Sequence, residues 1–575
     1  MFSLTRWLLL VLACGFAAGS IFQSSWAFGQ SDLTPPSPNA ITAPTDGAKP
    51  APVTITGITQ PLAVGAKKTA PPTKSETVIV QTEVLATSWL THPHVRPAPR
   101  LGNFVVPPTG CGYYSKLDWL QGKTSEKAPK YGYPAFAFYT PGFFDADWRY
   151  VDQPGANPDF FEKLHRVHLG DDWMFGTGGQ ASWRHMREIN SRLTGNTNEY
   201  DLFRARVYGD LWYRDAFRIY AEFITAHNVN PELRPLRIDE SRADLLNLFA
   251  DVKVGEIDCK PVYVRIGRQE LNLGSTRLVS SLDWANTRRT FEGVRGMYSS
   301  DKLDVDLFFA RPVIVDSKRF DFADNNQNFA GAWVTYRPQK GQAIDTYYLY
   351  LDNHNKTTTG GIVTTPTVTH TIGTRYSGDK DGFLWDFEGG AQFGDRGGNS
   401  IFAGFATAGL GYNWSKAAMN PTVWAYYDWA SGDSSRNAGK FNTFNQQHPF
   451  GHYYMGFLDL VGRQNIRDLN MHLFLHPAKW ITFNAQYHCF SLDKAADALY
   501  SVAGNAGALR SANGTAGGVV GQEIDILINF HLTKQSDFVL GYSRMQAGEF
   551  IRNTAPNANA ARDPELFYAM YNFRW

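Results

Sequence analysis

Cysteine is scarce in this chain, and positive and negative charges are balanced. The 575 residues include only 4 cysteines, with 55 lysines and arginines against 54 aspartates and glutamates. A formal net charge of +1 gives no reason to expect nucleic-acid binding. Beyond Cys14, the residues Cys111, Cys259 and Cys489 are an odd number without metal-ligand spacing. We therefore expect isolated thiols, no complete disulfide framework, no metal site and no cofactor.

Long apolar runs are also missing beyond the N-terminus. No later segment has the roughly 18 uninterrupted apolar residues that a transmembrane helix requires, and the mean hydropathy is -0.32. We therefore expect no membrane-spanning helix there. A membrane protein made of strands is not excluded, because the strands of a barrel alternate apolar and polar residues and escape this test.

The N-terminal part predicts an exported protein with an extended arm. Residues 1–29 have the features of a signal peptide, with a basic residue, an apolar stretch and small residues around Ala27. Lipid attachment at Cys14 is the alternative, although the apolar run before it is short. Residues 30–110, rich in proline, threonine and alanine, predict a disordered linker. Residues 111–165 form an N-terminal extension without an assignable role.

The chain is rich in residues that favour strands and turns. Aromatic residues make up 14%, and there are 52 glycines. Downstream of the extension apolar and polar side chains alternate, as in Phe203 and Val207 against Arg204 and Arg206. This alternation predicts about 18 strands, near residues 173–189, 200–213, 215–228, 243–256, 260–271, 290–300, 302–312, 328–338, 343–353, 367–378, 381–394, 400–414, 419–431, 464–477, 478–491, 521–534, 535–549 and 562–575.

The connections between these strands alternate between short and long. Those near residues 214 and 301 are short, whereas 272–289 and 432–463 are long, which is typical of periplasmic turns and external loops. In lipid every backbone polar group must be paired, and a closed sheet has no edge. We therefore predict an all-β, antiparallel transmembrane barrel over residues 166–575. It would lie in the outer membrane of a Gram-negative-type bacterium, in contact with lipid, around a lumen wide enough for a channel.

Six arginines lie between residues 265 and 295, although the flanking strands have an apolar face. The polar face of each strand turns toward the lumen, and arginine offers a charged fork suited to carboxylates. A lumen lined with arginine favours anions. The candidate lumen cations of the substrate path are Arg184, Arg204, Arg206, Arg218, Lys253, Arg265, Arg295 and Arg337. The candidate residues of the rim or external loops are Arg268, Arg277, Arg288, Arg289, His452, Asp459 and Arg463.

Acidic side chains share the lumen face of the same strands. By strand parity they are Asp210, Glu222, Asp251, Asp304, Asp306, Asp386 and Glu388. Many of the arginines would then pair with acids across neighbouring strands and hold the wall rigid. An anion-selective path and structural pairing are both consistent with this pattern.

Several segments resemble the alginate-export family of outer-membrane barrels. They are VRIGRQELNLGSTRLVSSLDWANTRRTFEGVR, GTGGQASWRHMRE, WDFEGGAQFG, YDWASGD and FNTFNQQHPFGHYYMGFLDLVGRQNIRDL. The resemblance covers about residues 171–575. One departure is Ser182, where family members often have arginine, whereas Arg184 keeps the second basic position. The resemblance implies a channel that exports an anionic polysaccharide such as alginate or a related polyuronate, received from a periplasmic biosynthesis or export complex.

Three other functions remain open from the sequence. The main alternative is a general or small-solute porin on the same scaffold, since a fold does not fix its substrate. An outer-membrane enzyme would need a catalytic cluster, but no nucleophile motif such as G-x-S-x-G occurs. A structural envelope protein would lack an open pore. For a channel, the long loops 272–289 and 432–463 are the candidate gates, because they contain the densest set of family residues.

Overall fold

The structure is a computed structural model. It describes residues 100–133, 140–359, 362–364, 366–434, 439–504, 506–511 and 513–575. Every described residue belongs to one compact unit of the chain. The predicted signal peptide, residues 1–29, and residues 30–99 of the predicted linker lie outside the described residues.

Within the described residues, eighteen long strands form one antiparallel sheet that closes on itself. Each strand pairs with the next along the chain, and the last pairs with the first at positions such as Ser182 and Asn572. This confirms the predicted fold class and strand number. In chain order the strands are β1 (Trp173–Ile189), β2 (Asn198–Tyr213), β3 (Phe217–Val229), β4 (Ser241–Ile257), β5 (Lys260–Gln269), β6 (Phe291–Ser299), β7 (Leu303–Ile314), β8 (Gln327–Tyr336), β9 (Gln342–Asn353), β10 (Thr367–Lys380), β11 (Phe383–Arg396), β12 (Asn399–Asn413), β13 (Thr422–Ala430), β14 (Ile466–Ala478), β15 (Ile481–Leu492), β16 (Val519–His531), β17 (Ser536–Ala547) and β18 (Glu565–Arg574).

Short elements occupy the connections and the region before β1. The described helices are α1 (Lys116–Gln121), α2 (Phe160–Leu164), α3 (Gly451–Tyr454) and α4 (Glu549–Thr554), with 3-10 turns at Phe143–Asp145, Arg149–Asp152 and Ser191–Leu193. Short strands span Val167–Leu169, Phe322–Ala323, Thr357–Thr359, Ile362–Thr364, Lys440–Phe441, Ala498–Tyr500 and Ala506–Arg510. In the described part of the chain, none of the helices is long and apolar enough to cross a membrane.

Side chains along the long strands alternate between the outside and the lumen. In β2, Phe203 and Val207 are exposed on the outer surface, whereas Arg204 and Arg206 are buried inside. An apolar outside is what a barrel needs to contact lipid, and it leaves the polar positions to the interior.

One strand departs from the predicted alternation. The sequence places Leu246 and Leu248 on the same lipid-facing side of β4, but Leu246 is 4% exposed and Leu248 is 44% exposed. The register between β3 and β4 shifts here, because Glu222 pairs with Asn247 while the next residue pairs with Leu245. A β-bulge of this kind adds one unpaired residue, which turns its side chain to the other face.

The connections differ at the two ends of the barrel. At one end, turns such as 258–259 and 381–382 contain only two residues, and we call it the short-turn end. At the other end the connections 270–290 and 431–465 are long, with 397–398 as an exception, and we call it the long-loop end. Short turns face the periplasm in outer-membrane barrels, so the long loops face outward.

The largest apolar cluster of the described residues lies inside the barrel, where two loops pack against inward-facing side chains of the strands. We call residues 270–290 the first inner loop and residues 431–465 the second inner loop. The first contributes Leu278, and the second contributes Phe450 and Phe457, all nearly inaccessible to solvent. The lumen near the long-loop end is therefore filled by the chain's own side chains.

Parts of the described chain before β1 pack inside the barrel nearer the short-turn end. We call residues 100–133 and 140–166 the N-terminal segment. Its Phe104 packs against Trp424 of the lumen wall, and its Phe144 packs against Phe249. The sequence assigns residues 100–110 to an extended linker, whereas the structure packs the first part of this stretch inside the barrel.

Placing a charge on the outer surface of β2 is expected to destabilise the barrel. Val207 is 49% exposed on the lipid-facing side, near the middle of the strand. We expect Val207→Arg to lower the free energy of unfolding by about 2–4 kcal/mol, because the guanidinium must enter the hydrocarbon. Urea unfolding in lipid vesicles, followed by tryptophan fluorescence, measures this change. Thr197→Arg, in the exposed loop before β2, is the control and should cost less than about 1 kcal/mol. Equal costs would contradict the assigned lipid face.

Candidate functional site in the barrel lumen

The two inner loops are joined by backbone hydrogen bonds. The Ser280 N–H donates to the His448 carbonyl and the His448 N–H donates to the Leu278 carbonyl, both over 2.9 Å. The Phe450 N–H donates to the Thr276 carbonyl over 3.0 Å. The loops that the sequence predicts as gates therefore meet inside the lumen.

Arg277 links the first inner loop to β11. Its guanidinium donates to Asp386 over 2.7 Å and to Glu388 over 2.9 Å, and it lies 4.4 Å from the centroid of the Tyr454 ring. The residue is 1% exposed. Burial alone would lower the pKa of Arg277, but Asp386, Tyr454 and Glu388 together raise it well above its ordinary value. Arg277 is therefore a fixed cation that holds the loop to the wall.

Arg288 joins the first inner loop to the N-terminal segment. Its guanidinium pairs with Glu270 and Asp283 and donates to the Thr140 carbonyl over 3.1 Å. The Thr140 N–H donates to the Asp283 carboxylate over 2.7 Å. Burial would raise the pKa of Asp283, but Arg288 and Arg204 lower it below its ordinary value, so the carboxylate stays ionised.

Most of the predicted lumen arginines are buried but paired with carboxylates of the wall. The N···O distance is 2.7 Å between Arg265 and Asp251 and 2.8 Å between Arg295 and Asp306. Such a pair is neutral as a unit, and breaking it leaves an uncompensated buried charge. Wall carboxylates also pair with two further predicted lumen arginines, in Arg206–Glu222 and Arg218–Asp210, and with two other arginines, in Arg375–Asp386 and Arg463–Asp428. Arg204 pairs instead with Asp283 of the first inner loop. These arginines therefore stabilise the wall and the inner loops.

Three other predicted cations lie near the ends of the barrel. Lys253 pairs with Asp215 over 2.6 Å, and Arg337 pairs with Asp304, both near the short-turn end. The sequence predicts both as lumen cations, and the structure places them close to the short-turn end. Arg268 pairs with a glutamate of β6 near the long-loop end.

Arg184 lines a small cavity of about 20 Å³ between β1, β2, β18 and the first inner loop. Its guanidinium donates to the Trp284 carbonyl over 2.9 Å and lies 3.8 Å from the centroid of that indole ring. Its Nε is buried without a hydrogen-bond partner. Within the described residues no carboxylate is at ion-pair distance from Arg184. Arg204, Asp283 and Ser182 also line the cavity, so both signs of charge, together with the unsatisfied Nε atoms of two arginines, face this space.

Arg289 is a second lumen arginine that, among the described residues, has no carboxylate at ion-pair distance. It donates to the carbonyls of Ser280 over 3.3 Å and Pro449 over 3.2 Å. Burial lowers the pKa of Arg289 to about 10, so the side chain stays positive at neutral pH. Burial and the nearby Arg289 lower the pKa of His448 to about 3, so that imidazole is neutral.

His452 and Asp459 of the second inner loop contact Trp284 of the first inner loop. The His452 ring stacks on Trp284 with centroids 3.7 Å apart, and its Nδ1 lies 2.9 Å from an Asp459 oxygen. The Trp284 Nε1–H donates to Asp459 over 3.0 Å. The sequence predicts a set of residues for the rim or the external loops, some of them beyond the outer rim. In the structure, six of them lie inside the barrel on the inner loops: Arg277, Arg288, Arg289, His452, Asp459 and Arg463.

Sequence reasoning missed several residues of this site. Arg375 faces inward on β10 and bonds Asp386 over 2.6 Å, and the same strand parity that selected Arg265 could have found it. No pattern in the sequence could have identified Trp284 or the N-terminal segment as part of the site, because the residues that they contact lie far away along the chain.

The closed barrel, its apolar outside and its polar, loop-filled lumen define an outer-membrane channel rather than an enzyme. The family model described as alginate export matches residues 175–563, and the chain belongs to this family. This confirms the resemblance and the outer-membrane location predicted from the sequence. No curated protein sequence matches the chain.

Solved outer-membrane proteins are similar to this chain in structure. OccD3 (OpdP) of Pseudomonas aeruginosa has a TM-score of 0.47 and 10% identity, covering 70% of this chain and 91% of its own. OprD of the same organism has a TM-score of 0.45 and 9% identity, covering 69% and 94%. OccAB2 of Acinetobacter baumannii has a TM-score of 0.48 and 8% identity, covering 69% and 98%.

Removing Arg277 is expected to destabilise the folded barrel strongly. Among the described residues, Arg277→Ala leaves Glu388 buried without a cation and Asp386 with Arg375 alone, which should cost about 3–5 kcal/mol of unfolding free energy. Urea unfolding in vesicles measures it. The control is Arg319→Ala, since that arginine is 80% exposed beside Asp316 and such a pair contributes at most about 1 kcal/mol. A similar, small loss for both variants would contradict a structural role for Arg277.

The buried His448 is expected to make the folded state weaker in acid. The pKa of His448 is about 3 in the folded protein, whereas the pKa of an unfolded histidine is about 6.5. The stability that the neutral imidazole contributes is fully present above the unfolded pKa, and it is lost as the pH falls from the unfolded pKa toward the folded pKa. His448→Gln should flatten the dependence of unfolding free energy on pH by up to about 1.4 kcal/mol per pH unit in this window. The same substitution at the exposed His227 is the control. An unchanged slope in His448→Gln would refute the assignment.

Proposed function

We propose that this protein exports an acidic polysaccharide, alginate or a related polyuronate, through the barrel lumen. The observation that carries the proposal is the state of Arg184 and Arg289. Both lie inside the lumen, and the described residues provide neither with a carboxylate at ion-pair distance. No carboxylate of the described residues neutralises their charge, so this charge attracts the carboxylates of a passing chain more strongly than the charge of an arginine paired to the wall.

The chemistry of the polymer fits spaced cations better than one tight site. A polyuronate has one carboxylate on each sugar, and conduction requires contacts weak enough for the chain to leave. The arginine fork suits a carboxylate, and Arg184 brings to its cavity a guanidinium whose buried Nε has no hydrogen-bond partner. Because most of the other lumen arginines are paired with carboxylates, the rest of the lumen is close to neutral.

The proposal includes a gate formed by the two inner loops. They are bonded to each other and to the wall, and they occupy the lumen near the long-loop end. A polymer can pass only when they move aside. A periplasmic biosynthesis or export complex would deliver the polymer at the short-turn end, and the long-loop end would release it.

Planar-bilayer recording of the purified protein tests the substrate. In a salt gradient we expect a reversal potential of anion-selective sign, and blockade by oligomannuronate but not by a neutral glucan of equal length. Arg184→Ala and Arg289→Ala should each weaken the blockade about 3- to 10-fold, since each removes one charge-assisted contact.

Arg187→Ala is the matched control. This arginine lies on the same strand as Arg184, and its side chain is 56% exposed. It should leave selectivity and blockade unchanged. A pore that does not select between ions, and that the uronate does not block, would instead favour the general or small-solute porin.

A further inference from the structure

We propose that residues 100–106 are an autoinhibitory plug, which must leave the lumen before polymer can pass. The inference rests on the channel function in the proposal above and does not depend on which polymer is carried. These residues run along the inner wall formed by β9–β14, in the space that a translocating chain would use.

The plug is anchored first at the short-turn end. The Arg100 guanidinium donates to the Gly341 carbonyl over 2.9 Å and to Asp379 over 2.6 Å. Arg375 of β10 donates to the carbonyls of Arg100 and Leu101 over 2.8 Å and 3.3 Å. A lumen arginine is thus occupied by backbone oxygens of the plug, at a position where it would otherwise face the path.

The middle of the plug touches the gate directly. The Gly102 N–H donates to the hydroxyl of Tyr454, on the second inner loop, over 2.8 Å. The Asn103 N–H donates to the Tyr426 hydroxyl over 2.6 Å. Both residues are almost completely buried. The Tyr454 hydroxyl itself donates to the backbone of the first inner loop, so plug and gate share this side chain.

Gly102 has no room for a side chain. A Cβ built on it would lie 2.4 Å from the Arg277 Nη2 and 2.4 Å from the Asp386 Oδ2. The plug therefore lies against the ion pair that fixes the first inner loop to the wall. Any larger residue at this position must either displace that pair or be expelled from the lumen.

The end of the plug is held by side chains alone. Trp424 Nε1 donates to the Phe104 carbonyl over 3.0 Å, and Asn420 Nδ2 donates to the Val106 carbonyl over 2.8 Å. Residues 100–106 form no strand pairing with the barrel. Withdrawal of the plug would break side-chain contacts while the hydrogen-bond ladder of the wall stays intact. An element held in this way can leave without unfolding the barrel.

The test uses Gly102→Leu in the full chain, with Gly255→Leu as the matched control. Gly255 has no atom within 4 Å of its built Cβ. We expect Gly102→Leu to raise the open probability in planar bilayers about tenfold or more, and Gly255→Leu to leave it unchanged. A second variant, Trp424→Phe with Asn420→Ala, removes two donors to the plug and should act in the same direction.

Displacement is measured independently of conductance. Asn103→Cys is placed in a background where Cys111, Cys259 and Cys489 are serine, and its labelling by a membrane-impermeant maleimide is timed with and without Gly102→Leu. Faster labelling together with higher open probability supports the plug. Faster labelling with unchanged conductance overturns it, because the path would be closed without the plug. Slow labelling in both also overturns it, since Gly102 would then tolerate a side chain in place.

The outcome separates this inference from the choice of substrate. An opened Gly102→Leu pore that does not distinguish oligomannuronate from neutral glucan would refute the polyuronate assignment and leave the plug supported. A uronate-selective pore whose conductance is the same in both glycine variants would refute the plug and leave the polyuronate assignment supported.

Discussion

The requirement that every backbone N–H and C=O in lipid be paired governs this structure. It closes eighteen strands into one sheet and commits the outer face to apolar side chains. Polar side chains can then face only the lumen, where a buried charge is costly unless a charge of opposite sign is near. Arg265 beside Asp251 and Arg295 beside Asp306 satisfy that condition within neighbouring strands. The ion pairs of the interior are therefore a consequence of closure as much as of function.

The strands could be predicted from sequence because their signal is local. Alternation with a period of two requires only neighbouring residues, and every predicted strand overlaps an observed one. The error at Leu246 arose because a bulge depends on the partner strand. The site was harder to predict, since Arg277 meets Asp386 and Glu388 more than 100 positions away along the chain. Strand parity could identify which arginines face inward. It could not distinguish the arginines that pair with a carboxylate from Arg184, which contacts Trp284 instead.

Most of the lumen is filled by segments that are not strands. The two inner loops pack against each other near the long-loop end, and the N-terminal segment packs below them. Arg288 bonds Thr140, and Tyr454 accepts from Gly102, so the three segments contact one another. A movement of any one of them removes partners from the other two. The interior therefore behaves as one packed unit and not as three independent obstacles.

The seam between β1 and β18 has a consequence for how the molecule is assembled. Gly179 and Trp575 exchange backbone hydrogen bonds there, and the hydroxyls of Tyr131 and Tyr133 donate to the carbonyls of Arg574 and Trp575. The seam can form only after β18 has been synthesised, so closure of the barrel waits for the last strand. The N-terminal segment adds two tyrosine hydroxyl hydrogen bonds to this last pairing. Closure of the barrel and packing of the N-terminal segment therefore stabilise each other.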